Sequence, residues 1–265
     1  QVEALAWMNR ALLHIDAAFA VRTRAQILIQ IADFENAFGD CAHAEASADA
    51  ALQMFRELDS RFELMRALQI RAAIDLHTGR GRMAPPLIEE WLHLARTLGN
   101  ARYEGIAQFW LGIVAAQQRD FAGALEHYAE SLRVIPPSEN GTRIATLFYQ
   151  AETWWCLGDH ERALAQCERS LVHFRETSFA FGVGTVLHRI GDIALFQGEV
   201  VQARRCYAES IVTLYQHSAR QRLIWPLAGL ATLLTVEERN SAAVVLWSAV
   251  QAIGQLVGLP TEMIS

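Results

Sequence analysis

A repeat of about forty residues runs through the chain and constrains its fold more than any other feature. The segments 119–132, 158–171 and 198–211 each carry an alanine at the sixth position and end in Ser-Leu or Ser-Ile. We take Gly158 as the reference residue of one unit and step by forty residues, or once by thirty-nine. The reference residues of the other units are then Gly39, Gly79, Arg119, Gly198 and Glu238. A fixed period of this length is the signature of a repeat architecture.

Every unit has a small residue seven places before its reference residue and another five places after it. These twelve residues are Ala32, Ala44, Ala72, Ala84, Gly112, Ala124, Ala151, Ala163, Gly191, Ala203, Ala231 and Ala243. The helical spacing around them, with Gly-Asp or Gly-Glu at the centre, predicts a hairpin of two helices. Since helices approach closely only where side chains are small, we expect the two small residues of a unit to lie where its helices cross. A bulky residue nine places after the reference residue is expected to fill the gap against the next hairpin.

These positions resemble the tetratricopeptide repeat, which has a large residue, a small residue four places later, an alanine twelve places further on, and then an aromatic and a small residue. Pro136 stands where that motif often has its closing proline. The resemblance spans essentially the whole chain and implies an all-α, right-handed superhelical solenoid of helical hairpins. Two features depart from the motif. The period is about 40 rather than 34 residues, which implies longer helices or extended connections at 55–61 and 95–102, and the first aromatic residue is mostly leucine.

The repeat also predicts the domain boundaries. Residues 1–18 are expected to form the second helix of a truncated preceding repeat, so that a first helix would lie upstream of Gln1. Residues 19–265 are expected to hold six repeats, with approximate bounds 22–57, 62–97, 102–135, 142–175, 182–216 and 220–257. Pro85 and Pro86 are tolerated only in a first helical turn, so that helix should begin late, near Ala84. The loop before it is either a local variation or a contact point for a partner.

Composition excludes several classes of partner. The net charge of -6 argues against direct binding of nucleic acid, which needs a basic surface. The stretch 240–261 is uncharged, but its glutamines and glycines favour a buried terminal helix over a membrane span. The sequence shows no signal peptide. These features predict a cytoplasmic protein without a membrane partner.

Neither a metal site nor a catalytic centre is predicted. The four cysteines are widely spaced without a C-x-x-C pattern, and we expect them to be small buried thiols in a reducing compartment. The glycines of 182–191 have neither the spacing of a dinucleotide-binding loop nor a preceding strand. No nucleophile stands in a recognisable pattern with a base. We therefore expect this segment to be non-enzymatic and to have no cofactor.

The long period, the segment LGNAR (98–102) and the tail 241–260 resemble the C-terminal repeat region of signal-transducing ATPases with numerous domains, including maltose-activator-type regulators. In that family an ATPase precedes the repeats, which receive an inducer or partner. The resemblance implies a non-catalytic sensory and protein-interaction module of a larger signalling or transcriptional regulator. Its partners would be a protein, a peptide or a small inducer, together with the upstream ATPase domain of the same chain. A free-standing adaptor or scaffold for protein partners is the alternative.

The first helices of stacked hairpins are expected to line the concave groove. Candidate ligand- or partner-binding residues on that surface are Phe109, Phe148, Glu152, Trp155, His188, Asp192 and Trp225. Apolar walls with a few polar groups are typical of a ligand site, although these aromatic residues would alternatively only pack between repeats. His188 and Asp192 share a helical face, but no third ligand is specified, so they do not predict a metal site. With Arg66 as the only cation expected in the groove, the sequence predicts a neutral or cationic ligand, or a partly apolar peptide.

Overall fold

The computed structural model describes residues 2–14, 21–37, 40–78, 80–217 and 220–256, and within these ranges the chain is helical without any strand. The predicted all-α class is therefore confirmed. The helices are α1 (Val2–His14), α2 (Val21–Ala37), α3 (Cys41–Glu57), α4 (Arg61–His77), α5 (Ala84–Thr97), α6 (Ala101–Gln117), α7 (Phe121–Val134), α8 (Asn140–Cys156), α9 (His160–Glu176), α10 (Ala180–Phe196), α11 (Val200–Gln216), α12 (Ile224–Val236) and α13 (Asn240–Leu256), with a short 3-10 helix at Arg220–Leu223.

Longer helices account for the forty-residue period. Most of the helices after α1 run for 17 residues. The connections 58–60 and 98–100 are short turns, although they lie in the segments that the sequence offered as extended connections. The helix that contains Pro85 and Pro86 begins where the sequence predicts. Helix α5 starts at Ala84, which places both prolines in its first turn. The predicted boundary at residue 18 and the predicted end of the last repeat at residue 257 lie outside the described residues.

The chain divides into two compact units, residues 1–143 and 144–265. The N-terminal unit has a continuous core that includes the fully buried Phe55, Met65 and Trp91. The C-terminal unit has a core around Cys167, Val186 and Leu187, and a further cluster around Tyr207. Each unit buries the apolar faces of its own hairpins, and this burial is the main source of its stability.

All twelve small residues of the repeat are buried. A methyl group at Gly112 would lie 2.4 Å from Cε1 of Tyr128, and one at Gly191 would lie 2.7 Å from Cε1 of Tyr207. The tyrosine of the second helix therefore covers the small residue on the first helix of its own hairpin. Tyr207 reaches the next hairpin as well, since a methyl group at Gly229 would lie 2.4 Å from the same ring atom. One ring thus fills space within a hairpin and between two hairpins.

The recurring serine at the end of the repeat fastens the two helices of a hairpin. The hydroxyl of Ser131 donates to the carbonyl of Gly105 at 2.7 Å, and that of Ser210 donates to the carbonyl of Gly184 at 2.6 Å. In each pair the glycine stands twenty-six residues before the serine. The fourth hairpin has Ile144 at this position, and Ser170 donates to Gln166 of its own helix instead. A methyl group would lie 2.6 Å from Cβ of Ile135 at Gly105 and 2.4 Å from Cγ of Leu214 at Gly184, so glycine lets the two helices of the hairpin approach closely.

Four of the reference residues lie at the end of the first helix of their hairpin. Arg119, Gly158, Gly198 and Glu238 have φ values of 64, 81, 80 and 60°, which lie in the left-handed region that closes helices. Gly39 and Gly79 lie outside the described residues. At Asp120 and Asp159 the next residue caps the following helix, because its side chain accepts a hydrogen bond from the backbone N–H of Gly123 or Arg162, whereas Glu199 makes no such hydrogen bond. The recurring Gly-Asp pair is therefore a helix stop followed by a helix start.

The four cysteines are free. Cys167 and Cys206 are buried as expected, whereas Cys156 is exposed at the end of α8, so the expectation of buried thiols fails there. Among the helices described, none combines the length and the apolar character needed to cross a bilayer.

Candidate ligand-binding cleft

A cleft with a volume of about 280 Å³ opens on the first helices of three successive hairpins in the C-terminal unit. Helices α8 and α10 supply most of its wall, and the 3-10 helix with the start of α12 completes it. The lining residues are Phe148, Tyr149, Glu152, Thr185, His188, Arg189, Arg222 and Trp225. Residues three or four apart share a face of a helix, so each helix presents its contribution on one side.

A two-point ion pair joins α8 to α10 in this cleft. Nε and Nη2 of Arg189 donate to Oε1 and Oε2 of Glu152, each at 2.6 Å. The remaining guanidinium nitrogen, Nη1, donates to Oδ2 of Asp192 at 2.9 Å. The guanidinium carbon also lies 5.4 Å from the ring centroid of Trp155. Burial acts to lower the pKa of Arg189, but the charge and hydrogen bonds of Glu152 outweigh it and raise that pKa.

Asp192 anchors the other end of this network. Its Oδ1 accepts a hydrogen bond from the hydroxyl of Tyr207 at 2.8 Å, and its Oδ2 lies 3.2 Å from Nε2 of His188. Burial acts to raise the pKa of Asp192, but the hydrogen bond with His188 and the charge of Arg189 outweigh it, so the pKa is lowered. The carboxylate is therefore ionised, and the side chains around it are held in fixed positions.

The fold and the cleft can be set beside known proteins. No protein-family model and no curated protein sequence matches the chain. Among solved structures, the apo form of RapI has a TM-score of 0.77 at 12% identity, over 97% of this chain and 91% of RapI. This chain has the tetratricopeptide-repeat fold.

Two further solved structures have the same fold as this chain. NprR in complex with its cognate peptide NprX has a TM-score of 0.69 at 14% identity, over 97% of this chain and 74% of NprR. A signal transduction ATPase with numerous domains and a tetratricopeptide repeat sensor, from Pyrococcus horikoshii, has a TM-score of 0.67 at 12% identity. That match covers 94% of this chain and 38% of the ATPase.

Four of the residues predicted from the sequence line the cleft of the tetratricopeptide-repeat domain: Phe148, Glu152, His188 and Trp225. Asp192 lies next to them through its contacts with Arg189 and His188.

Two predicted residues lie elsewhere. The ring of Trp155 packs against His160 and Phe196, at centroid distances of 4.6 and 5.9 Å, and reaches the cleft only through Arg189. Phe109 belongs to the N-terminal unit, where its side chain is 9% exposed and its ring packs against Tyr128. Phe109 therefore contributes to a core rather than to this cleft.

The sequence did not predict the two arginines that line the cleft. Arg66 was expected to be the only cation in the groove, which is wrong, because Arg189 and Arg222 both line the cleft. Arg189 stands next to the candidate His188 and thirty-seven residues after Glu152. An alignment of adjacent repeats that searched for opposite charges at neighbouring positions would have identified Arg189 as the partner of Glu152. Arg222 lies on the 3-10 helix, where the helical period gives no prediction.

The N-terminal unit has its own hollow, with a volume of about 330 Å³, on helices α2, α3 and α4. It is lined by Gln26, Ile29, Gln30, Phe55, Phe62, Glu63 and Arg66. Glu63 pairs with Arg22 at 3.6 Å, and no network like that around Arg189 is present among the residues described there. Across the described ranges of the whole chain, no group of three His, Cys, Asp or Glu side chains is arranged to hold a metal ion.

Proposed function

We propose that this tetratricopeptide-repeat domain is a non-catalytic sensory and interaction module that binds a peptide segment of a partner protein in the cleft of its C-terminal unit. We also propose that it belongs to a larger ATPase-type signalling or transcriptional regulator. The observation that carries the first proposal is the cleft itself. Three successive first helices bring aromatic walls and a fixed polar network to one place.

The composition of the cleft suits a peptide side chain. Phe148 and Tyr149 stand edge to face with ring centroids 5.7 Å apart, and Trp225 lies on a neighbouring helix. The ion pair of Glu152 with Arg189 is already formed, so binding does not require these side chains to be ordered first. A volume of about 280 Å³ holds one or two side chains, so a peptide would extend beyond it along the repeats.

The chemistry of the cleft favours binding over catalysis. Both oxygens of Glu152 accept hydrogen bonds from Arg189, so this carboxylate is poorly placed to act as a base. The nearby thiol of Cys167 is fully buried, and this burial raises its pKa. A buried neutral thiol is a poor nucleophile.

The comparisons support the wider context of the proposal. NprR was solved with its cognate peptide, and the Pyrococcus horikoshii ATPase is described as carrying a tetratricopeptide repeat sensor. The match spans 38% of that ATPase. A sensor that binds a ligand more tightly in one state than in another shifts the equilibrium between them, which would link the cleft to an output domain.

Peptide selection tests the cleft. Peptides selected from a random displayed library on the purified domain should bind with an affinity that falls at least tenfold in Trp225→Ala and in Phe148→Ala, measured by calorimetry. Val212→Ala, which changes an exposed side chain of α11, is the matched control and should bind like the wild type. Melting temperatures of all variants identify any loss caused by unfolding. Undiminished binding by both cleft variants would place the site elsewhere.

The regulator context has a separate test. The reading frame upstream of Gln1 should encode a nucleotide-binding loop ending in Gly-Lys-Ser or Gly-Lys-Thr. The ATPase activity of that longer protein should then change on addition of a selected peptide, and Trp225→Ala should remove the response. A reading frame without such a loop would favour the free-standing adaptor.

A further inference from the structure

We infer that the cleft selects a carboxylate that stands next to an aromatic or aliphatic side chain, and that Arg222 is the residue that binds this carboxylate. The inference deepens the proposed function and rests on it for the location of the site. It reverses the expectation of a neutral or cationic ligand, which depended on a groove without these arginines.

The other charged groups of the cleft are already engaged with one another. Arg189 donates from Nε, Nη1 and Nη2 to Glu152 and Asp192. Both oxygens of Glu152 accept from it, and Asp192 is shared among Arg189, His188 and Tyr207. Opening this network for a ligand would leave partly buried charges without partners, which is unfavourable. These groups therefore shape the cleft and are poorly suited to receive the ligand's charge.

Arg222 differs from Arg189 because its donors are available. Its side chain is exposed, and no aspartate or glutamate within the described ranges forms an ion pair with it. The guanidinium carbon lies 4.7 Å from the ring centroid of Phe181. An aromatic ring can cover a face of a guanidinium while its N–H groups, which point outward in the guanidinium plane, stay open to a partner.

The chemistry of these donors favours a carboxylate. A guanidinium binds a carboxylate through two parallel hydrogen bonds, which gives both strength and direction. Glu152 and Asp192 together exceed Arg189 by one negative charge, so a dianionic phosphate would meet more repulsion than a monoanion. Phe148, Tyr149 and Trp225 provide the apolar surface for the neighbouring side chain. The ligand class is therefore a peptide with an acidic group adjacent to an apolar residue.

Two probes that differ only in charge test the inference. N-acetyl-L-phenylalanine and N-acetyl-L-phenylalaninamide are titrated into the domain, and binding is followed by NMR on the indole N–H of Trp225. The carboxylate should bind at least fivefold more tightly at low salt, and its advantage should shrink as salt is added. Arg222→Gln should abolish the preference and leave the affinity for the amide unchanged. Arg169→Gln, an exposed arginine on α9, removes the same charge outside the cleft and should keep the preference.

The outcomes separate the two proposals. Equal binding of both probes, or an unchanged preference in Arg222→Gln, overturns the role of Arg222 and leaves the cleft as a binding site. Absence of any response at Trp225 to either probe overturns both the inference and the proposed site. Tighter binding of phenyl phosphate than of the carboxylate overturns the choice of ligand class. The peptides Ac-Gly-Phe and Ac-Phe-Asp-amide, each against its uncharged amide analogue, then distinguish a C-terminal carboxylate from an acidic side chain.

Discussion

Arg189 of α10 and Glu152 of α8 are joined by two hydrogen bonds of 2.6 Å, and this pair connects the first helices of two neighbouring hairpins. Both side chains are mostly shielded from solvent, with 16% and 28% of their surfaces exposed. Screening is therefore weaker than at an open surface, and each charge depends on the other.

Replacing one residue of this ion pair should lower the free energy of unfolding more than replacing both. Arg189→Met leaves Glu152 without its partner and should lower the free energy of unfolding by about 3 kcal/mol, measured by urea denaturation. The double variant Arg189→Met with Glu152→Met should recover part of that loss, because Glu152 is then no longer an unpaired charge, while Asp192 loses Arg189 but keeps its contacts with Tyr207 and His188. Additive losses in the double-mutant cycle would show that the two side chains do not depend on each other.

The small residues of the repeat should not tolerate enlargement. Ala163 is fully buried, so Ala163→Leu should overpack the hairpin and lower the free energy of unfolding by about 1 to 3 kcal/mol. Glu161→Ala, on the exposed side of the same helix, should change it by less than about 0.5 kcal/mol. Chemical denaturation of both variants measures the difference. Equal effects would contradict the assignment of buried and exposed faces to α9.

At the turn between two helices, the backbone conformation rather than the available space should determine which substitutions are tolerated. Gly198 has a φ of 80°, and nothing lies within 4 Å of a methyl group placed there, so Gly198→Ala should destabilise by about 1 kcal/mol through its backbone alone. Arg119→Gly, at a φ of 64°, should stabilise by a similar amount. Gly141 has equally open space but lies in α8, so Gly141→Ala should be neutral or stabilise by up to about 1 kcal/mol. Thermal melts of the three variants separate conformation from crowding.

The stability of the C-terminal unit should depend on pH through Asp192. Its pKa in the folded protein is below the ordinary value of 3.8, so the stabilisation it provides is present above that value and is lost as the pH falls through the lowered pKa. The wild type should therefore melt higher than Asp192→Asn at about pH 6, and the difference should narrow towards about pH 3. The exposed Asp33→Asn is the control for the loss of one surface charge. A constant difference for Asp192→Asn would contradict this linkage.

The sequence was sufficient for the helices and for their buried small residues, whereas it placed the bulky residue of the second helix against the next hairpin and did not predict that Tyr128 covers Gly112 of its own hairpin. Ala163 and Gly191 were identified because a helical period marks the buried face, and the Gly-Asp pair was interpreted as a turn, although the capping hydrogen bond of Asp159 was not predicted. These features depend on neighbours that are close in the chain. Local rules are enough to predict them.

The site depended on contacts that no single helix specifies. Arg189 meets Glu152 across two hairpins, so its role follows from how neighbouring units are aligned. Arg222 lies on a 3-10 helix between two regular helices and has no position in the repeat. Phe109 occupies a predicted groove position but packs against Tyr128, because a period cannot tell whether the next helix covers a face.

Tyr207 has two tasks, since its ring lies between Gly191 and Gly229 and its hydroxyl holds Asp192. A substitution at Asp192 therefore removes the hydrogen-bond partner of a ring that also fills space within a hairpin and between two hairpins. Arg222 is exposed and does not fill space in the core as Tyr207 does. Substitutions at Arg222 should therefore change the charge of the cleft at a smaller loss of stability than substitutions at Tyr207 or Asp192.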